Sequence, residues 1–247
     1  MKNKMEFTYK AYTGLLQALR EKGYQLSTFS NVMDSQPFTA ILRHDIDVSP
    51  SKAVTMAEHE AEVDAQSTYF VMMSSDFYNP MAGENESAIR QIQRLGHEVG
   101  LHFDIRKYGG ISEEELCSKI RYEAGMLSQI LGESVKSVSW HRPYKDYLGK
   151  RIDGLEGFRN AYDPKYVREY KYCSDSMMNW RDEPYDFIDT EKYPKLQILT
   201  HPVWYDNVGI LMNVEVLKEA YMEKNNSIMS YIDSIVPGAK GYAKWMS

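Results

Sequence analysis

Cysteine and excess positive charge are both scarce in this chain. Its 247 residues contain only Cys117 and Cys173, and 29 lysines and arginines stand against 35 aspartates and glutamates, giving a formal net charge of −6. Two cysteines cannot build a disulfide framework, so we expect reduced thiols. A chain without a basic stripe has little with which to neutralise a phosphate backbone, which argues against nucleic acid as a partner.

Long apolar runs are absent as well. No run approaches the roughly 20 residues that a membrane-spanning helix needs, and residues 1–6 lead into an amphipathic pattern instead of the apolar region of an export signal. We therefore expect no membrane span and a cytoplasmic location. The sequence also lacks a glycine-rich phosphate loop and a G-x-S-x-G elbow, so a serine-nucleophile enzyme is not supported.

Predicted strands alternate with predicted helices along the chain, which favours a parallel sheet or barrel. No linker or repeat divides the sequence, so we expect one domain over residues 1–247 with helical extensions at both ends; residues 145–171 have poor periodicity and should be irregular. The patterns predict strands at 24–26, 39–42, 66–72, 98–102, 135–139, 171–176 and 196–199, and helices at 7–22, 51–63, 87–95, 112–131, 214–223 and 227–236.

One stretch, Ala40–Asp47, stands out because an apolar run ends in two carboxylates. Asp45 and Asp47 are two residues apart, so in extended chain both point to the same face. The carboxyl ends of parallel strands open onto the ligand crevice of α/β enzymes. This stretch is therefore the first candidate for the chemistry of the chain.

Other predicted strands end in polar side chains that converge with these carboxylates if the sheet is parallel. Two carboxylates and several imidazoles suit a divalent metal with an open coordination position, a carboxylate general base and a histidine general acid. The strand ends in question carry Asp45 and Asp47, His102, His141 and Arg142, and His201.

The order of these segments resembles the polysaccharide deacetylase superfamily, the NodB-homology domain of carbohydrate esterase family 4, in a divergent intracellular branch. Asp45-Ile46-Asp47 is similar to the Asp-x-Asp form of the first motif of that family. The further segments that resemble family motifs, all in the same order over residues 38–206, are 68–72, 96–102, 141–144, 174–175 with 180–181, and 198–201.

The resemblance implies a distorted (β/α) barrel of about seven parallel strands, related to the TIM barrel, with a divalent metal, Zn²⁺ first among candidates, at its mouth. It implies removal of an acetyl group from a sugar. Carried over by motif, the implied roles are Asp45 as general base, Asp47 and His102 as metal ligands, His201 as general acid oriented by Asp175, Arg142 as the group that holds the base, and the backbone at Tyr144 as oxyanion donor.

The chain departs from this family at Arg106, where the second motif normally carries another histidine. A guanidinium cannot ligate a metal, so the third ligand must come from elsewhere or the metal is weak or absent. His141 and Asp104 are nearly equal candidates, with His141 favoured because imidazole restores the usual ligand set. His44 is a third possibility, although it alternates away from the two aspartates.

Large aromatic side chains near these motifs could form a wall on which a sugar stacks. Two other histidines are predicted to be structural: His97 holds a turn, and His59 is solvated on a helix. The residues of this wall are Trp140, Trp180, Trp204 and Tyr205, and the expected substrate contacts are Tyr144, Trp180 and Trp204.

The expected function is that of a metal-dependent deacetylase acting on an acetylated sugar. A nucleotide-linked or lipid-linked precursor of a surface polysaccharide, of the O-antigen type, is the expected substrate. Two alternatives stay open: a carbohydrate-binding or scaffold protein that has lost the metal, which Arg106 supports, and an amidohydrolase acting on a non-sugar amide.

Overall fold

A computed structural model of the protein describes residues 4–209 and 212–236. It contains two compact units, Met1–Gly209 and Ile210–Ser247. The first unit carries the sheet and all of the motifs above. The single domain predicted over residues 1–247 stays a prediction.

Eight parallel strands form the sheet of the first unit. Seven of them follow the order β6-β5-β4-β3-β2-β8-β7, and β1 pairs with the first half of β2. The predicted distorted barrel of about seven parallel strands is therefore confirmed, with β6 and β7 at the two ends of the order. The strands are β1 Gln25–Ser27, β2 Thr39–Ile46, β3 Thr68–Val71, β4 Glu98–Asp104, β5 Ser137–His141, β6 Arg159–Asn160, β7 Lys171–Ser174 and β8 Lys195–Thr200.

Three helices of the first unit begin directly after a residue whose side chain caps the helix. The side chains of Thr8, Ser49 and Ser112 accept hydrogen bonds from the first turns of α1, α2 and α4, and Ser112 forms a full capping box with Glu115. The α-helices of the first unit are α1 Tyr9–Glu21, α2 Pro50–Glu62, α3 Gly83–Arg94, α4 Glu113–Leu131 and α5 Pro164–Glu169.

Strand β2 lies in the middle of the sheet and all eight of its residues are buried. Because successive side chains of a strand point to opposite faces, Arg43 and Asp45 share one face while His44 points to the other. The barrel-side face of β2 thus carries the charges of Arg43 and Asp45, and buried charges require oppositely charged or hydrogen-bonding partners close by.

The second unit contributes one helix to the described residues, α6 Asn213–Ile235. The two terminal helices predicted at 214–223 and 227–236 are therefore wrong as separate elements. The intervening Lys224-Asn225-Asn226 contains neither glycine nor proline, and a helix continues through such residues at modest cost.

Candidate metal centre and acid–base site

Three side chains at the carboxyl ends of β2, β4 and β5 bring metal-ligating atoms together. Asp47 follows β2, His102 lies in β4 and His141 ends β5. The Oδ1 atom of Asp47 lies 3.0 Å from Nε2 of His102 and 3.3 Å from Nδ1 of His141, and the two imidazole nitrogens are 3.2 Å apart. A carboxylate oxygen and two imidazole nitrogens thus form a nearly equilateral triangle.

This triangle fits a divalent ion of the zinc type. Bonds of about 2.0–2.1 Å in a tetrahedral site place neighbouring ligand atoms about 3.3 Å apart. The buried Oδ1 of Asp47 has no hydrogen-bond partner among the described residues. On its other ring nitrogen, Nδ1, His102 is hydrogen-bonded to Oγ of Ser139 at 2.6 Å, which orients the imidazole as outer partners of metal ligands do.

The Asp47 carboxylate is ionised at neutral pH. Burial raises its pKa, but the close contacts of His102 and His141, with the charges of His102 and His201, outweigh burial and hold the pKa well below its usual range. An anionic oxygen beside two imidazoles is the donor set that zinc and related ions prefer.

The other candidates for the third ligand lie elsewhere. Asp104 accepts hydrogen bonds from the backbone N–H of Arg106 at 3.0 Å and from the guanidinium of Arg142 at 3.2 Å. His44 points to the opposite face of β2, where its Nε2 lies 2.9 Å from Glu60 and its Nδ1 lies 2.5 Å from Oγ1 of Thr200. The arrangement therefore brings His141, and neither alternative, to Asp47 and His102.

Asp45, the predicted base, is buried beside this triangle. Nε and Nη2 of Arg43 donate to its two oxygens at 2.9 and 2.8 Å. Burial raises the pKa of Asp45, but the charge of Arg43 beside it outweighs burial and lowers the pKa below the usual value. Its Oδ2 lies 3.7 Å from Nε2 of His102.

The expected contact between Arg142 and Asp45 is not formed, which corrects that part of the sequence prediction. The guanidinium of Arg142 is 60% exposed and donates to Asp104. Arg142 also has a positive φ of 47°, an uncommon conformation for a residue other than glycine. The chain turns sharply there, directly after His141, so the side chain is carried away from the barrel axis.

His201, the predicted acid, is held by the buried carboxylate of Asp175. Nδ1 of His201 donates to Oδ1 of Asp175 at 2.6 Å, and the backbone N–H of His201 lies 3.1 and 3.0 Å from the two carboxylate oxygens. Burial lowers the pKa of His201, but Asp175 outweighs it and raises the pKa to about 9. The remaining nitrogen, Nε2, lies 3.9 Å from Oδ2 of Asp47, so a protonated imidazole faces the triangle.

The expected aromatic wall is more buried than a stacking surface would be. Trp180 and Trp204 are only 6% and 7% exposed, while the ring centroid of Trp204 lies 6.5 Å from that of His201. Trp140 and Tyr205 are buried as well. Tyr144 is exposed, with its ring 5.2 Å from the guanidinium carbon of Arg106.

A cavity of about 540 Å³ lies between the ends of β6 and β7, and sequence reasoning did not foresee it. Its volume falls within the range of small-molecule sites, and its walls combine aromatic rings with a few polar groups, as such sites do. The side chains that give it this character are Tyr162, Tyr166, Tyr172, Ser174, Arg181 and Gln197.

Arg43 was also missed, although its signal is present in the sequence. It lies two residues before Asp45 and four before Asp47, so the strand period of two puts all three on one face. An arginine within a buried apolar run requires a paired anion, and Asp45 is the nearest one.

No protein-family model and no curated protein matches this chain. Among solved structures, a family 4 carbohydrate esterase from Bacillus anthracis is similar at 16% identity and a TM-score of 0.46, over 91% of this chain and 90% of the other. A chitin deacetylase from the fungal pathogen Colletotrichum lindemuthianum is similar at 17% identity and a TM-score of 0.48, over 82% of this chain and 87% of the other.

A carbohydrate esterase family 4 pseudoenzyme, also from Bacillus anthracis, is similar at 14% identity and a TM-score of 0.44, over 79% of this chain and 63% of the other. The similar structures thus include a carbohydrate esterase, a chitin deacetylase and a pseudoenzyme.

Proposed function

We propose that this protein is a metal-dependent deacetylase of the polysaccharide deacetylase superfamily that hydrolyses an acetyl group from a sugar. The observation that carries the proposal is the triangle of Asp47, His102 and His141, with an ionised carboxylate, Asp45, on one side and a protonated imidazole, His201, on the other. The motif order over residues 38–206 supports the same family.

Asp47, His102 and His141 would hold the ion. When bound there, a divalent metal supplies Lewis-acid polarisation of an acetyl carbonyl and a nucleophilic water at neutral pH. Asp45 accepts the proton of the attacking water. His201 donates a proton from Nε2 to the departing sugar nitrogen or oxygen, so that acetate and the deacetylated sugar leave.

Asp175 and the backbone of Tyr144 support the acid and the oxyanion. The carboxylate of Asp175 accepts a hydrogen bond from Nδ1 of His201, which fixes the orientation of the imidazole ring. The negative charge of Asp175 keeps the imidazole protonated, and Nε2 is left to donate its proton. By the family resemblance, we assign the backbone N–H of Tyr144 to the oxyanion of the tetrahedral intermediate.

The substrate that we propose is an acetylated precursor of a surface polysaccharide, carried on a nucleotide or a lipid and handled in the cytoplasm. Among the described residues, every helix is too short or too polar to cross a bilayer. The tyrosine-rich cavity between β6 and β7 supports binding of a ring beside the acetylated one, since sugar faces pack on aromatic rings while hydroxyls bond to Gln and Ser.

The test is metal analysis of protein purified without chelator or nickel affinity, together with acetate release from acetylated nucleotide sugars. We expect near-stoichiometric divalent metal and release of acetate, both lost in the Asp47→Ala, His102→Ala double variant. Asp104→Asn serves as the matched control, because its carboxylate lies outside the triangle, and it should retain the metal. A parent that binds no metal, even on titration, would contradict the proposal and would favour a binding or scaffold protein on the same fold.

A further inference from the structure

Both oxygens of Asp45 are occupied by one guanidinium. Nε and Nη2 of Arg43 donate to them at 2.9 and 2.8 Å. This two-point contact fixes the plane of the carboxylate as well as its position, which a single hydrogen bond does not do. Arg43 and Asp45 are two residues apart on β2, so the strand itself sets the spacing of the pair.

Arg43 is in turn held from several sides. Nη1 donates to Oε1 of Gln197 at 3.3 Å on β8, and Nη2 donates to the hydroxyl of Tyr162 at 3.2 Å, just beyond β6. The guanidinium carbon lies 4.7 Å from the ring centroid of Tyr162 and 5.4 Å from that of Phe70. With no exposed side-chain surface, this arginine has one available position.

Arg142 offers no such contact. Its guanidinium is largely exposed and bonds to Asp104, and its backbone turns it away after His141. The two arginines therefore differ in burial and in partner.

We propose that Arg43 is the residue that positions the base Asp45, a task that the motif resemblance had given to Arg142. The inference rests on the proposed deacetylase function. Arg43 touches neither the triangle nor the reacting atoms in this arrangement; it acts through the carboxylate. Lysine cannot replace it, because an ammonium is a point charge without the planar fork that matches two carboxylate oxygens.

The kinetic test compares Arg43→Lys with Arg142→Lys in otherwise unchanged protein. We expect Arg43→Lys to lower kcat about 10- to 100-fold, because a misplacement of about 1 Å can cost about 100-fold. KM and metal content should stay within about twofold of the parent, since neither substrate contacts nor metal ligands change. Arg142→Lys should lose less than about threefold in kcat.

A second test measures the Tm of Arg43→Met with and without a change at Asp45. Removing Arg43 leaves Asp45 charged and buried, so Arg43→Met should lower Tm strongly and a second change, Asp45→Asn, should recover much of the loss. Arg142→Met combined with Asp45→Asn should give additive changes.

The outcomes separate the inference from the function on which it rests. A parent that binds metal but releases no acetate from any acetylated sugar overturns the proposed function. An active parent in which Arg43→Lys keeps its kcat, or in which Arg142→Lys loses as much, overturns the inference alone. Additivity of Arg43→Met and Asp45→Asn in Tm would also contradict it.

Discussion

His141 completes the triangle with Asp47 and His102. Arg106 is not a member of the triangle but contacts the segment that follows His141. Its Nε donates to the backbone carbonyl of Arg142 at 2.9 Å, and its guanidinium packs on the ring of Tyr144. Arg106 thus braces the segment that directly follows His141.

Replacing His141 by alanine should weaken metal binding by at least about 100-fold, since even loss of an outer partner of a ligand costs 10- to 100-fold. Equilibrium dialysis with zinc measures the change. Asp104→Asn is the comparison, because Asp104 bonds to Arg106 and Arg142 and not to the triangle. Equal losses in the two variants would show that Asp104 contributes a ligand.

Replacing Asp175 by asparagine should lower kcat for a sugar amide by about 100-fold or more, since general acid catalysis contributes 10²–10⁴-fold. Without the carboxylate, His201 loses the charge that keeps it protonated. An activated aryl acetate has a leaving group that needs no proton, so its hydrolysis should fall much less. A similar loss for both substrates would contradict the role of Asp175 in acid catalysis.

The sequence predicted which side chains meet at the strand ends but not every hydrogen-bond partner that orients them. Asp45, Asp47, His102, His141 and His201 were foreseen because parallel strands bring their carboxyl ends to one edge. The partner of Asp45 was not, because the family resemblance favours Arg142 while the strand period places Arg43 on the face of Asp45. The positive φ of Arg142 turns the chain sharply after His141 and leaves Arg43 as the partner.

Glu60 ties several elements together behind the sheet. It lies on α2 and is fully buried, and its carboxylate accepts hydrogen bonds from Tyr12 of α1 at 2.6 Å and Tyr69 of β3 at 2.7 Å. Oε1 of Glu60 also lies 2.9 Å from Nε2 of His44 on β2. One carboxylate thus fixes the packing of two helices against the strand that carries Asp45.

Stability should depend on pH through Glu60. Burial raises its pKa, but the charge and hydrogen bond of His44 outweigh burial and lower the pKa to about 2 from an ordinary 4.5. The stabilisation is therefore present above about pH 4.5 and is lost as pH falls toward 2. At 1.36 kcal/mol per unit it amounts to about 3 kcal/mol.

The measurement is urea unfolding of the parent and Glu60→Gln at pH 7 and pH 3. We expect Glu60→Gln to be less stable at pH 7 and the gap to narrow at pH 3. A gap that is the same at both values would show that the charge of Glu60 contributes nothing.

The contact between β3 and β4 depends on Gly100. A Cβ at this position would lie 2.6 and 2.7 Å from ring carbons of Phe70 and 3.0 Å from the carbonyl oxygen of Ser137. Gly100→Ala should therefore destabilise the fold by about 1–3 kcal/mol, the usual range for overpacking. Gly125→Ala, in α4 with no atom within 4 Å, should instead stabilise by about 1 kcal/mol. Thermal unfolding of the two variants tests the contrast; equal shifts would refute it.

Element positions followed from periodicity better than element ends did. Helix α3 begins at Gly83, four residues before the predicted start. Gly83 and Asn85 are typical of loops, which favours a later start in the sequence pattern. The acidic Glu84 and Glu86 stabilise the first turn of the helix, so the helix extends back to Gly83. Strand β2 continues four residues past Leu42 into charged sequence, since neighbouring strands satisfy its backbone there. Residues 145–171 are irregular with short elements, as predicted.

For the molecule as a whole, the triangle joins the ends of three strands, so an ion bound there stabilises the folded state over the unfolded one. Zinc at 100 times its Kd should add about 2.7 kcal/mol, which corresponds to a rise in Tm of roughly 5–10 °C for a chain of this size. Thermal scans with zinc and then with chelator measure the rise and its reversal. Asp47→Asn should show no rise; a rise in that variant equal to that of the parent would place the ion elsewhere.

The sheet ends in two short edge strands, β6 and β7. An open sheet presents unpaired backbone groups at its edges, and such edges recruit strands from other chains into aggregates. Here β6 has two residues and β7 has four, beginning with a lysine. Edges this short and charged give a passing strand few backbone groups to pair with, so neither end of the strand order favours aggregation.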